Sequence, residues 1–387
     1  CIRDRMKIIV AADSFKGNMR SDEVCAIMAD ALLESLQDAE IKVVPVADGG
    51  EGTTDAVVRA TGGEMMEALV TGPLGESVTA RYGLLPGGKT AVMEMASASG
   101  LELVPTDRLD PMKATTYGTG ELIRAALEKG VREIILGIGG SATVDGGTGM
   151  AQALGYRLLD AEGNECGRGG TALETIARIE SDAVLPVLHD CRIRVACDVT
   201  NPLLGECGPA RVFGPQKGAT PAMVELLEDG LGGLAKVWLG QGFLEDVESP
   251  GDGAAGGLGA GLRAFCRAEM SSGADLVADI TGFDREIRDA DVLVTGEGRT
   301  DEQTASGKLC AVLAAKARAS GASTILISGA LHGNLENLSG LFDAAFAAVQ
   351  DVCSLEEAIE RGRENLEMTA RNVGRILALG RDLMEAE

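Results

Sequence analysis

Between Gly137 and Gly149 the chain reads Gly-Ile-Gly-Gly-Ser-Ala-Thr-Val-Asp-Gly-Gly-Thr-Gly. The apolar run Ile134-Ile135-Leu136 leads into it, and the helix-forming run Met150 to Leu154 leads out. Glycine at this density belongs to a connection whose backbone takes conformations closed to other residues. A strand feeding such a loop into a helix start gathers backbone N–H groups and the positive end of the helix dipole at one place, which suits an anion. Gly139, Gly140, Gly146 and Gly147 would shape the loop, while Ser141 and Thr143 offer hydroxyls and Asp145 a carboxylate. The Gly-Lys-Ser/Thr ending of a Walker A loop is absent. A tight structural crossover is the competing reading. Three further segments, Asp48 to Thr53, Phe213 to Ala219 and Thr295 to Asp301, also set glycine around charged or hydroxyl side chains. Four such loops point to an enzyme that handles phosphate.

The rest of the composition narrows the class. The 387 residues predict two or three domains at ~150 residues each. The chain is 45% hydrophobic but 3% aromatic, so its core must be aliphatic. Its 53 glycines stand at the ends of apolar runs, which argues for working loops and against disorder. A formal charge of −24 repels nucleic acid and anionic lipid, so neither is expected as a partner, and no membrane association is expected. An anionic small substrate remains allowed where local lysine and arginine overcome that field. Nine cysteines without a C-x-x-C pair, and two histidines, argue against zinc and haem and for reduced thiols in the cytoplasm. No apolar run approaches the ~20 residues of a membrane span, and no secretory leader is visible. Met6 reads as the natural start, with residues 1–5 an upstream remnant and a lipoprotein cysteine the remote alternative.

Along the chain, Met6 to Ala12 predicts a buried strand, and Ser21 an N-cap for a helix with Val24, Ile27, Met28, Ala31 and Leu32 on one face. Ile41 to Val46 predicts a second strand, then a helix ending near Gly62. The same rhythm returns at the far end, with strands over Asp291–Thr295, Thr324–Ser328 and Asp343–Val349 and a helix over Leu309–Ala319. Strand and helix in alternation mean a parallel sheet covered on both faces. From Glu64 to Arg81, and over Thr90 to Met95, alternating segments separated by glycine and proline turns suggest an antiparallel or mixed sheet instead. The expected architecture is α/β: a doubly wound domain from both chain ends (6–63 and 284–387) and an inserted mixed α/β domain (64–283). The cleft between them is the expected site, because ligands of open parallel sheets bind at the carboxyl ends of the strands.

Candidate site residues follow from that placement. Asp13, Ser14 and Lys16 come directly after the first strand, where Lys16 can pair with a phosphate or carboxylate; local backbone capping by Asp13 or Ser14 is the alternative. In the second loop Gly49 and Gly50 allow a tight turn, Asp48 opens it at the strand end, and Glu51 stands at a helix start, where the dipole favours it anyway. Asp145 fits the task of holding Mg²⁺ against phosphates, although Asp before Gly-Gly is also common turn chemistry. Asp198, at the end of the strand Ile193–Ala196, is a candidate base for a substrate hydroxyl, and Asn201 can orient a ligand unless both serve an Asx turn into Pro202. Lys217, between glycines 214 and 218, can approach a phosphate. Arg299 can bind a carboxylate or phosphate in bidentate fashion, with Glu297 and Asp301 beside it; an internal Arg–Asp pair is the alternative.

Taken together, these segments resemble the bacterial type-I glycerate kinases. The resemblance is carried by Asp13-Ser14-Phe15-Lys16-Gly17, Val46 to Thr53, Gly139-Gly140-Ser141-Ala142-Thr143, Cys197 to Leu203, Phe213 to Ala219, Gly253 to Gly257 and Thr295 to Arg299. These motifs fall in order over essentially the whole chain. The resemblance implies ATP-dependent phosphorylation of D-glycerate, usually giving 2-phosphoglycerate, and a flavodoxin-like domain beside a second α/β domain. It further implies direct in-line transfer with Mg²⁺ held by Asp145 or Asp198. Lys16, Lys217 and Arg299 would then compensate charge, and Asp198 or Asp48 would accept the hydroxyl proton. Four positions depart from the usual pattern: Val144 replaces Asn, Asp252 a common Ala, and Glu302 a small residue, while Cys310 lies near a usual Pro. Glycerate 3-kinase activity and a non-catalytic nucleotide- or acid-binding regulator are the alternatives, and a homodimer is left open. A dinucleotide-dependent oxidoreductase is disfavoured, because no G-x-G-x-x-G follows the first strand.

Overall fold

The structure, a computed structural model, describes residues 5–46, 52–301, 309–333, 338 and 340–385. The first strands are β1 (Lys7–Val10), β2 (Glu40–Val43), β3 (Glu64–Thr71), β4 (Ser77–Leu84), β5 (Thr90–Glu94) and β6 (Glu133–Gly137). After them come β7 (Arg157–Leu159), β8 (Arg178–Glu180), β9 (Arg192–Ala196) and β10 (Glu269–Ser271). The last are β11 (Val292–Thr300), β12 (Ser323–Leu331) and β13 (Ala344–Ala347). The chain divides into two compact units, residues 1–48 with 274–387 and residues 49–273.

The first unit is built on a five-stranded sheet of order β13-β12-β11-β1-β2, parallel throughout. Counted within the unit this is the flavodoxin-like order 2-1-3-4-5. Alternate side chains of a strand face opposite sides, and the cores follow that rule. Val294, Ile325 and Ile327 pack with Val24, Met28 and Leu32 of helix Ser21–Ser35 and with Leu366, Ala370 and Val373 of helix Gly362–Glu385. Leu326 faces the other way, onto Cys310 and Ala314 of helix Leu309–Ala319. Ser21 does not cap its helix, as the sequence suggested. It is the first helical residue, and its hydroxyl lies 2.6 Å from the Ala12 carbonyl and 2.9 Å from that of Val46, tying helix to strand ends instead.

The second unit carries a six-stranded sheet of order β10-β9-β6-β5-β4-β3. β3, β4 and β5 pair antiparallel, whereas β5, β6, β9 and β10 run parallel, so the sheet is mixed as expected. β7 and β8 form a separate antiparallel pair. Some of the unit's aromatics meet: Tyr156 and Trp238 pack against Phe265 with ring centroids 4.9 and 5.8 Å apart. The unit boundaries fall at 48/49 and 273/274 rather than at 63/64 and 283/284. Helix Thr53–Thr61 follows β2 in sequence but packs on β4 and β5, and helix Gly273–Thr281 is tied to helix Leu309–Ala319 by Lys316 and Asp275 at 3.3 Å. Among the described residues no helix is long and apolar enough to cross a membrane, and the eight cysteines are free.

Candidate functional site

In the first unit the chain leaves β1 to form β2 on one side and β11 on the other, so the strand order reverses between β1 and β11. Open parallel sheets bind ligands at such a point. The Asp13 amide donates to the Gly296 carbonyl at 2.8 Å, carrying the sheet pairing past β1 and setting Asp13 in step with Glu297. Gly298 suits this close approach, since a Cβ on it would lie 3.1 Å from the Cα of Phe15, tighter than most such contacts. Lys16 and Arg299 are exposed, Asp13, Ser14 and Asp301 half-buried, and Glu297 is buried, accepting the Thr300 hydroxyl at 2.8 Å. The Ser14 amide donates to Asp13 Oδ1 at 2.7 Å, the local cap foreseen as an alternative. Thr295 to Asp301 is not a loop, however. β11 runs on to Thr300 because β12 matches it to the end, with Arg299 opposite Ala330 and Thr300 opposite Leu331. Cys310 lies buried beneath this edge. Burial, reinforced by the nearby Glu297 and Asp13 carboxylates, holds its thiol well above the usual range, and its Sγ contacts the Gly296 carbonyl at 3.3 Å.

In the second unit β5, β6 and β9 end level, Glu94 beside Gly137 and Gly137 beside Ala196, so the segments after β6 and β9 leave the same edge. Gly139 and Gly140 are exposed there, but the chain then turns inward: Ser141 is 8% exposed, and Thr143, Val144 and Asp145 are fully buried. Asp145 Oδ2 accepts the Thr116 amide at 2.8 Å and the Thr116 hydroxyl at 2.9 Å, and Oδ1 accepts the Gly147 amide at 3.1 Å. The Thr115 hydroxyl and the Gly149 amide add longer contacts at 3.4 Å. Burial raises the pKa of this carboxylate, while the converging donors pull it down. The following helix, Thr148–Ala153, spans six residues. The anion at its start is therefore the chain's own carboxylate, and the accessible part of the glycine-rich loop is Gly139 and Gly140, with Ser141 next to them at the buried end, not Gly146 and Gly147.

This arrangement decides whether Asp145 fits Mg²⁺. It does not: its oxygens are shut from solvent and surrounded by N–H and O–H donors that would oppose a cation. Among the described residues no group of three or more His, Cys, Asp or Glu is placed to hold a metal ion.

Lys217 also differs from its expected place. It is 2% exposed, and its Nζ donates to Ser141 Oγ at 2.7 Å and to the Thr143 carbonyl at 2.8 Å. Burial pushes the ammonium down to about 7 against the pull of Asp145. Asp198 stands exposed past the end of β9, with Oδ1 accepting the Gly273 amide at 2.9 Å. Asn201 spends its side-chain amide on the Cys207 carbonyl at 2.8 Å. A left-handed turn in Gly253–Gly257 clasps these segments. The Gly253 amide donates to the Asn201 carbonyl at 2.9 Å, and the Gly146 amide to the Gly256 carbonyl at 3.0 Å. At Gly256 (φ 70°) a Cβ would collide with the Thr143 carbonyl.

Two residues that shape these loops escaped the sequence reading. Glu94 accepts the Thr54 amide at 2.8 Å and the Gly52 amide at 3.3 Å, capping helix Thr53–Thr61. Thr116 organises Asp145. The signals were a carboxylate ending a strand and a Thr-Thr pair ahead of a helix. Asp48, Gly49, Gly50 and Glu51 lie outside the described residues.

The sequence-family model described as the glycerate kinase family matches residues 8–378. The chain belongs to the glycerate kinase family. It is 46% identical to the glycerate 2-kinase of Escherichia coli strain K12, over 97% of this chain and 99% of that protein. It is also 46% identical to the glycerate kinase of Halalkalibacterium halodurans, over 95% and 97%. The crystal structure of a Salmonella typhimurium LT2 protein described as a candidate glycerate kinase 2 superposes with a TM-score of 0.90. That match has 46% identity and covers 98% of this chain and 100% of that one. In this glycerate kinase family member the unusual residues have physical places. Val144 joins the aliphatic core, and Asp252, fully buried, holds Arg263 with both carboxylate oxygens at 2.7 Å. Glu302 lies outside the described residues.

Proposed function

We propose that this chain phosphorylates D-glycerate with ATP and Mg²⁺, by direct in-line transfer to the 2-hydroxyl, giving 2-phosphoglycerate. The observation that carries the reading is family membership over nearly the whole chain, with an Escherichia coli relative named glycerate 2-kinase. Phosphoryl transfer asks a protein mainly for positioning and for compensation of phosphate charge. Lys16 and Arg299, exposed at the strand-order reversal, supply cations for phosphate or for the glycerate carboxylate, and the guanidinium can do so in bidentate fashion. Gly139 and Gly140 supply accessible backbone in the second unit, and Ser141 beside them a hydroxyl. Asp198 is the proposed acceptor of the hydroxyl proton, with Asp48 as the alternative. Mg²⁺ would neutralise charge on the nucleotide phosphates. With Asp145 unsuited, Asp198 is the carboxylate that remains proposed for it. D-glycerate and ATP are the proposed partners, and the cytoplasm the proposed compartment.

A coupled ADP-release assay tests the reading. ADP should form only when D-glycerate, ATP and a divalent ion are all present, and less readily with other small hydroxy acids. Nucleotide binding without any ADP release would favour a regulator and overturn the proposal.

A further inference from the structure

We propose that the Ser141 hydroxyl is a dedicated hydrogen-bond donor to a substrate oxyanion, held in that role by the buried ammonium of Lys217. This rests on the kinase reading. An ammonium has three donors and no acceptor, whereas a hydroxyl can both donate and accept. Lys217 Nζ lies 2.7 Å from Ser141 Oγ, so whenever Lys217 carries its proton the serine oxygen is the acceptor in that bond. Its own hydrogen is left to point elsewhere, and among the described residues Lys217 is the hydrogen-bond partner of Ser141 Oγ. The bond from a cation also polarises the O–H, because hydrogen bonds in a chain strengthen one another.

Position adds to the chemistry. Ser141 sits where the chain passes from the exposed Gly139 and Gly140 into the interior, at the level edge of β5, β6 and β9. Lys217 is fixed from its other side by the Thr143 carbonyl at 2.8 Å, and Asp145 fastens the loop to Thr116. The donor is therefore oriented before any ligand arrives, the condition under which a donor stabilises developing negative charge most effectively. Thr143 Oγ1, two residues on, is buried without a partner, a second hydroxyl that the described protein leaves unsatisfied. An oxyanion offers acceptors only, which matches a group confined to donation. A nucleotide phosphate and the glycerate carboxylate share that chemistry.

Steady-state kinetics of the full chain test the assignment with Ser141→Ala, Ser141→Thr, Lys217→Met and the Ser141→Ala/Lys217→Met double variant, each checked by thermal unfolding. Ser141→Ala should lower kcat/KM about 10- to 100-fold, the range for a hydrogen bond to a charged group, and Ser141→Thr should recover most of it. A rise in KM for ATP would identify a phosphate oxygen, and a rise in KM for glycerate the carboxylate. Lys217→Met should be damaging alone yet add little once Ser141 is alanine, whereas a purely structural lysine would give effects that add. If Lys217→Met does not fold, the comparison of Ala with Thr at 141 decides. Unchanged kcat and KM for both substrates in Ser141→Ala, or additive effects in the double variant, would overturn the assignment while leaving the kinase reading intact. No ADP release from the wild-type protein would overturn the kinase reading itself, and this role with it.

Discussion

The two sheet edges use the same vocabulary to opposite ends. At the β1/β11 edge of the first unit, glycine and charge produce an open surface: Lys16 and Arg299 are exposed. At the β6 edge of the second unit, a denser run of glycine with Ser, Thr and Asp folds inward, burying Asp145 completely and Lys217 to 2%. A cation at the first edge can meet a ligand directly. A cation at the second is spent on Ser141 and Thr143 and can act on a ligand only through them. Charge beside glycine reads alike in both stretches of sequence, and burial decides whether the charge faces solvent or is spent inside the fold.

Substitutions at the two kinds of position should therefore separate activity from stability. The largest effect is expected at Asp198, exposed beyond β9. Asp198→Asn should lower kcat by about 10²–10⁴-fold, the contribution of a positioned general base, with an unfolding midpoint close to wild type. Near-normal turnover in a folded Asn variant would move the proton-acceptor role to Asp48. Asp145→Ala should behave in the reverse sense. It strips the Thr116 and Gly147 amides of their acceptor and Lys217 of a neighbouring negative charge, at a cost of roughly 3 kcal/mol for buried groups left unsatisfied. Urea unfolding measures that loss, and an Ala variant of wild-type stability would contradict the inward reading of the loop.

Arg299→Ala sharpens the comparison from the exposed side. Loss of a charge-assisted contact should raise KM for glycerate or ATP about tenfold. Its stability should change by no more than ~0.5 kcal/mol, as for an exposed side chain. Loss of stability without any change in KM would place Arg299 in the fold rather than at the substrate.

A smaller effect, read per pH unit, belongs to Lys217. Its folded pKa is about 7 against an ordinary 10.5, so between these values the unfolded chain holds a proton that the native one does not. The group's contribution to stability is complete above the unfolded value and is lost as pH falls through about 7. Stability should rise by up to about 1.4 kcal/mol per pH unit from this one group. Urea titrations between pH 7 and 8.5 should show that slope in wild type and its loss in Lys217→Met. Equal slopes in the two proteins would mean that the ammonium is not enclosed as described.

Much of the frame was legible because it depends on periodicity. The short apolar runs at both chain ends, each followed by helical spacing, announced a parallel sheet from split segments, and the alternation after Glu64 announced antiparallel pairing. Pairing partners were less visible. Nothing local to Gly296–Thr300 tells that β12 continues far enough to keep it in the sheet, or that helix Thr53–Thr61 belongs on β4 and β5. The site was legible by residue type but not by direction. Asp145 has the composition of a metal ligand, and its true neighbours come from Thr115 and Thr116, about thirty positions earlier. Lys217 was recognised through its flanking glycines, which give close approach without saying to what. Glu94 escaped because a glutamate ending a strand looks like ordinary surface until the amides of Gly52 and Thr54 are seen on it.

The position of the transferred phosphate tests the central claim most directly. Glycerate offers a secondary hydroxyl at C2 and a primary one at C3, and a grip on its carboxylate sets which of them reaches the γ-phosphate. Proton-coupled phosphorus NMR of the product formed from D-glycerate and ATP should give a doublet, from phosphate on a methine carbon. A triplet from two methylene protons would place it at C3 and contradict the 2-kinase assignment, and no phosphorylated glycerate at all would contradict the kinase account as a whole.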